Sequence, residues 1–256
     1  MPKQVAAPKP KISWRLWLRV GVWALVAAGA AFGARQVNAF LLRDPHFGLS
    51  SLEIRGAVYA NKARLQSVFA ADVDHSVFQI PLSERRRHLL AVDWVNEASV
   101  LRVWPNRIVV TVTERRPVAF VKLPIASTSR YRIALVDGDG VILSLPPRVR
   151  FHLPVLGGVT EEQTDAARTV RVSAMQHLLD DLGPQAKDIS EINATNTQDM
   201  RVIAQVDHRP LELWIGDQHY RARYLNFLDH YEEIRKHSEQ ATIFDLRFDD
   251  RILANQ

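Results

Sequence analysis

The longest uninterrupted apolar stretch, Val20 to Ala34, is fifteen residues without a charge, and reading back to Leu16 gives nineteen broken only by Arg19. At about 1.5 Å per residue, nineteen helical residues reach roughly 28 Å, close to the hydrocarbon thickness of a bilayer. Beyond residue 44 the periodicity changes to short alternating runs separated by turn residues. Leu52 to Arg55 alternates and stops at Gly56, which predicts a strand. Asn61 is placed to cap a helix with Ala63, Leu65, Val68 and Phe69 on one side. Ser83 to Ala91 predicts a second helix, with Leu82, Leu89 and Leu90 inward and Arg85-Arg86-Arg87 on its solvated face. From Ala98 to Trp104 and from Ile108 to Val112 two alternating runs meet at Pro105-Asn106, which predicts a β-hairpin ended near Pro117. The order strand, helix, helix, strand, strand closes on itself as a three-stranded sheet with two helices on one face.

Residues 118 to 256 read as a second α+β unit. Strands are predicted over Val118 to Lys122, Arg132 to Val136 and Val141 to Leu145. The last two are joined by Asp137-Gly138-Asp139-Gly140, whose glycines suit a tight turn. These aspartates could also ligate calcium, but further oxygen ligands at the required spacing are missing, so the turn is favoured. Thr160-Glu161-Glu162-Gln163 has capping-box spacing and Gly183-Pro184 ends the helix it would open. Strands follow near Ile189 to Ala194, Arg201 to Gln205 and Leu211 to Ile215. A helix over Arg221 to Lys236 then precedes a last strand over Thr242 to Phe248, with Arg251 to Ala254 extending it or pairing back.

Charge sharpens the reading of the apolar run. The net charge is +5, yet residues 1 to 43 hold seven of the 33 Lys and Arg and no acid, leaving 26 bases against 28 acids elsewhere. A slightly acidic body disfavours nucleic acid as a partner. Five bases precede the apolar run, and Trp14 and Trp17 sit at its amino-terminal edge, so the positive-inside rule places the amino terminus in the cytoplasm. A cleaved signal peptide, with Ala28-Gly29-Ala30 as its small-residue site, is the competing reading. Continued apolar character at Val37 and Ala39 to Leu42 favours an uncleaved anchor, and a buried core helix is a third option. Under the first two readings, residues 44 to 256 are exported. Pro8 and Pro10 among lysines suit a disordered tail.

Candidate chemistry is sparse. The chain has no cysteine, and no nucleophile elbow, zinc-protease, Walker or dinucleotide motif. The histidines show no metal-ligand spacing, and Asp180-Asp181 and Asp249-Asp250 are adjacent pairs that splay apart. No catalytic, cofactor-binding, metal or small-molecule site is expected, which points to function on surfaces: a binder or scaffold rather than an anchored periplasmic hydrolase.

Trp94-Val95 with Ala98, Arg102-Val103-Trp104-Pro105 and Glu114-Arg115-Arg116-Pro117-Val118-Ala119 closely resemble the FtsQ/DivIB family of bacterial cell-division proteins. The likeness continues through Leu135 to Val141 and Leu153 to Gly158 and ends at Asp245-Leu246-Arg247-Phe248. The resemblance implies a cytoplasmic tail over 1–15, a transmembrane helix over 16–36, a POTRA domain over 44–117 and a β domain over 118–256. It implies a non-catalytic, bitopic inner-membrane scaffold of the divisome, with its carboxy-terminal domains periplasmic and its place at the septum. Its partners would be FtsB and FtsL homologues, indirectly FtsW and FtsI, and FtsK on the POTRA side. The family receives FtsB partly by strand addition at the last strands, a mode in which main-chain hydrogen bonds supply affinity. Carried over to matching positions, the partner-binding residues are Arg247, Phe248, Asp250 and Arg251. Phe248 stands where the family commonly has tyrosine, and Asp249-Asp250-Arg251 replaces a common glycine. A POTRA-type periplasmic chaperone or translocation adaptor is the alternative function.

Overall fold

The computed structural model describes residues 14–125, 128, 130–248 and 251–255. The chain divides into two compact units, one of residues up to 57 with 61–91 and 97–112, the other of 58–60, 92–96 and 113 onward.

The first unit begins with α1, Trp14–Arg43, a helix of 30 residues whose length comes to about 45 Å. It is exposed from Trp17 to Asn38. That exposure excludes the buried core-helix reading and fits a membrane span. The strand β1, Ser51–Arg55, is followed by α2, Lys62–Ser67, and α3, Leu82–Leu90. A hairpin of β2, Val95–Val103, and β3, Arg107–Glu114, completes a sheet of order β1-β3-β2, with β1 parallel to β3. Leu65, Phe69, Leu89, Ala98, Ile108, Val110 and Val112 form its buried side. The Asn61 side chain accepts from the amides of Ala63 and Arg64, as the cap spacing predicts; Ala63 itself, expected on the apolar side, is exposed. Gly56 has φ of +82°, and a Cβ there would lie 2.1 Å from the Val112 carbonyl oxygen, so only glycine ends β1 this way.

The arginine triplet on α3 departs from the expected solvated face. Arg85 forms a two-pronged pair with Asp72 at 2.7 and 2.9 Å, and Arg86 donates to the Ala98 carbonyl at 2.7 Å. Periodicity assigns these positions outward, but long side chains can run along apolar surface and return their charged ends to buried acceptors.

The second unit is a mixed sheet, nine-stranded among the described residues, in the order β12-β11-β10-β9-β8-β7-β4-β5-β6. Its strands are β4 (Pro117–Pro124), β5 (Tyr131–Asp137), β6 (Ile142–Leu143), β7 (Val155–Gly157), β8 (Ile189–Asn193), β9 (Met200–Val206), β10 (Arg209–Gly216), β11 (Ile243–Asp245) and β12 (Leu253–Asn255). The helices α4, Asp165–Leu182, and α5, Tyr220–His237, pack on one face. Val172, Met175 and Leu178 of α4 and Tyr224 and Phe227 of α5 share a core with Val121, Leu156, Ile192, Val202 and Leu213 of the strands. The helix expected to open at Thr160 starts four residues later, capped by Thr164 accepting from Ala167 N. Gln163 instead folds back onto the Gly158 carbonyl at 3.0 Å, and the buried Arg168 gathers the Gly140 and Thr160 carbonyls.

The predicted Asp137 to Gly140 turn is present, with Gly140 at φ +77° and packed so closely against Asp165 and Thr169 that a Cβ would clash. Asp137 accepts from the amides of Asp139 and Val141 at 3.0 and 2.8 Å. The α+β organisation legible in the pattern is that of the folded chain.

Candidate functional site

The site is built where the sheet ends. β10 runs antiparallel to β9, which sets Trp214 opposite Arg201, and parallel to β11, which sets Trp214 opposite Asp245. Alternation turns Leu211, Leu213 and Ile215 to the core and leaves Glu212 and Trp214 half-buried on the other face. The Trp214 indole donates to Glu212 Oε1 at 2.9 Å. The Arg201 and Arg247 guanidinium carbons lie 4.2 and 5.0 Å from the Trp214 ring. Two cations on one indole make a rigid, polar-rimmed platform.

Arg247 is locked into that platform. It donates from Nε and Nη2 to the two oxygens of Asp245 at 2.9 and 2.6 Å, and from Nη1 to Asp199 at 3.1 Å. The hydrogen bond from Arg247, more than any other influence, holds the Asp245 carboxyl below its ordinary pKa, and the same pair raises that of Arg247. From behind, Arg223 of α5 donates to the carbonyls of Ile215 and Arg247 at 2.9 and 3.1 Å.

The last strand is shorter than the Thr242 to Phe248 expected from alternation. Asp245 Oδ1 accepts from the Arg247 amide at 3.1 Å, a side-chain competitor that turns the backbone out of the ladder. The chain then reverses, and β12 pairs antiparallel with β11, Phe244 opposite Ala254 and Asp245 opposite Leu253. Of the two readings left open for Arg251 to Ala254, pairing back is the one adopted. β11 is therefore paired on both sides, and among the described residues β12 is the outer strand at this end, with no partner on its far side.

Of the four carried-over positions, Arg247 sits in the ion-pair cluster and Phe248 is 39% exposed. Leu246, Phe248 and Ile252 line a cavity of 220 Å³ against His219 and Ala222 at the start of α5. The Arg251 guanidinium lies 5.0 Å from the Phe248 ring. Asp250 lies outside the described residues. Sequence reasoning missed Trp214, Arg201, Asp199 and Arg223. Arg201 and Trp214 each fall at the outward phase of a predicted strand, so their pairing follows once register is known; Asp199 and Arg223 carry no local signal.

Two family models match the chain: the POTRA domain of FtsQ type over residues 47–115, and the carboxy-terminal region of cell division protein FtsQ/DivIB over 127–247. The cell division protein FtsQ of Koribacter versatilis is 28% identical over 264 residues, covering 100% of this chain and 72% of the relative. That of Novosphingobium aromaticivorans is 26% identical over 97% of this chain and 71% of the relative. That of Shewanella oneidensis is 22% identical over 95% and 87%.

Proposed function

We infer that this chain, which belongs to the FtsQ/DivIB family of cell-division proteins, works as a non-catalytic scaffold of the divisome. α1 serves as its single span of the inner membrane, with the amino terminus cytoplasmic and the POTRA and β domains periplasmic at the septum. Its β domain takes a segment of an FtsB or FtsL homologue as an added strand. FtsW and FtsI are reached through that partner, and FtsK through the POTRA side.

The observation that supports this reading is the outer edge of β12 at the end of the sheet, which has no partner strand among the described residues. An edge strand presents a row of backbone donors and acceptors ready for another chain. Beside it stand two side chains that a partner would cover, Leu253, 43% exposed, and Phe248, 39% exposed. Behind it the Arg247–Asp245 pair and Trp214 keep β11 and β10 rigid, so little order has to be gained on binding.

The test is binding of the full chain, in detergent, to the periplasmic segment of its FtsB homologue. Phe248→Glu and Leu253→Asp are compared with the unmodified chain after equal thermal transitions establish that all are folded. Loss of binding in both variants supports the edge as the docking place; binding retained by both refutes it. A full-chain fluorescent fusion spread evenly over the membrane of dividing cells would count against the scaffold role itself.

A further inference from the structure

We propose that the small unit carries a second membrane contact: Phe40, Phe47, Phe78 and Trp104 form an aromatic foot seated among the lipid headgroups beside α1. This rests on α1 being a membrane span. The uncharged run from Val20 to Ala34 centres on residue 27, and Phe40 lies thirteen residues farther along the helix. That distance is about 20 Å, beyond the hydrocarbon half-thickness of about 15 Å and within the headgroup layer.

The four rings make one cluster at that level. Phe47 meets Phe40 at 6.0 Å, Phe78 at 5.6 Å and Trp104 at 5.7 Å, and Phe78 meets Trp104 at 5.3 Å, all edge-on. The cluster is not hidden. Trp104, at the tip of the β2–β3 hairpin, is 63% exposed and Phe40 is 58% exposed. A large exposed indole backed by phenyl rings is costly against water and favoured at a headgroup boundary, where the ring is buried and its N–H stays wet. Arg43 and Arg107, both exposed, follow Phe40 and Trp104 by three residues in the chain, and positive charge suits anionic lipid.

The end of the helix is also fastened to the unit, so the depth of one sets the depth of the other. Ser76 Oγ donates to the Leu41 carbonyl at 2.7 Å and Gln79 Nε2 to that of Leu42 at 3.1 Å. The Val77 amide donates to Phe47 O at 2.8 Å. The far end of the sheet, where β1 leaves its pairing at Thr111 and leads to Lys62, points the other way along the strands. The proposed occupant is the lipid surface, because the cluster continues directly from a helix that would already be in the bilayer.

The chain has no cysteine, so a single bimane label can be placed in the full chain at Ala28→Cys, Asn106→Cys or Lys62→Cys. Each is reconstituted in vesicles of phosphatidylcholine and phosphatidylglycerol doped with nitroxide lipids. Ala28 should be quenched by acyl-chain nitroxide, Asn106 by headgroup nitroxide, and Lys62 by neither. Trp104→Ser in the Asn106-labelled chain should lower its quenching by about twofold with an unchanged thermal transition. Asn106 quenched no more than Lys62, with Ala28 still quenched, overturns the foot while keeping the span and leaves the cluster to a protein partner. Ala28 unquenched by acyl-chain nitroxide overturns both.

Discussion

Within the second unit, Arg115 Nη1 lies 2.6 Å from Asp137 Oδ2, joining the residues that lead into β4 to the turn between β5 and β6. Asp137 is 3% exposed and uses its other oxygen to hold the amides of Asp139 and Val141. The neighbouring Glu114 accepts from Val58, Tyr59 and Ala60 amides at 2.8, 2.8 and 2.7 Å. Glu114-Arg115 and Asp137 to Gly140 thus act as anchor points for main chain rather than as chemistry.

Asp137→Ala should cost about 3 kcal/mol, because it leaves two turn amides and a partly buried guanidinium without their acceptor. Asp137→Asn, which can still accept from the turn amides, should cost distinctly less. Chemical denaturation of both variants checks the order; equal losses would mean that the turn amides contribute nothing.

Trp94→Ala should cost about 3–5 kcal/mol, since the indole is 2% exposed and its removal opens a large void. Its ring stacks on Phe151 at 6.2 Å and its N–H donates to Ser144 O at 2.9 Å. Trp94→Phe keeps the stacking and loses the hydrogen bond, so its cost should be about 1 kcal/mol plus the missing ring volume. The difference between the two denaturation midpoints is the measurement.

Tyr224→Phe should leave stability unchanged or raise it by up to about 1 kcal/mol. The ring is fully buried, and its hydroxyl has no hydrogen-bond partner among the described residues. Burial, with a smaller influence from Asp188, pushes its phenol up to about 12. A loss of more than 1 kcal/mol on thermal melting would show that the hydroxyl is bonded after all.

Much of this was legible in the sequence, and the rest was hidden for identifiable reasons. Period-two and helical patterns report which side of an element meets the core, so Leu52 to Arg55, the hairpin and α5 could be placed. They do not report where a charged side chain goes after leaving the backbone, which is why Arg85 and Arg86 looked like solvent-facing residues. The end of β11 is set by one carboxylate, Asp245, capturing the Arg247 amide, and alternation over Ile243 to Phe248 carries no trace of that competition. For the same reason the outer strand at this end of the sheet, among the described residues, is β12 and not β11.

Asp245→Asn should lower stability at neutral pH by about 1.5–3 kcal/mol, the range for hydrogen bonds to charged groups. Asp245 is 4% exposed, and its carboxyl titrates below the ordinary value of 3.8 because of Arg247. A folded-state pKa below that of the unfolded chain means that the unfolded state takes up protons first as pH falls. The contribution is therefore complete above the ordinary value and disappears as pH drops through the lowered one. Urea denaturation of both chains should show a gap that is constant from pH 7 to about pH 5 and narrows as pH falls below the ordinary carboxylate value, since asparagine has no proton to exchange. A gap that stays open at the acidic end would mean that the variant loses packing rather than the ion pair.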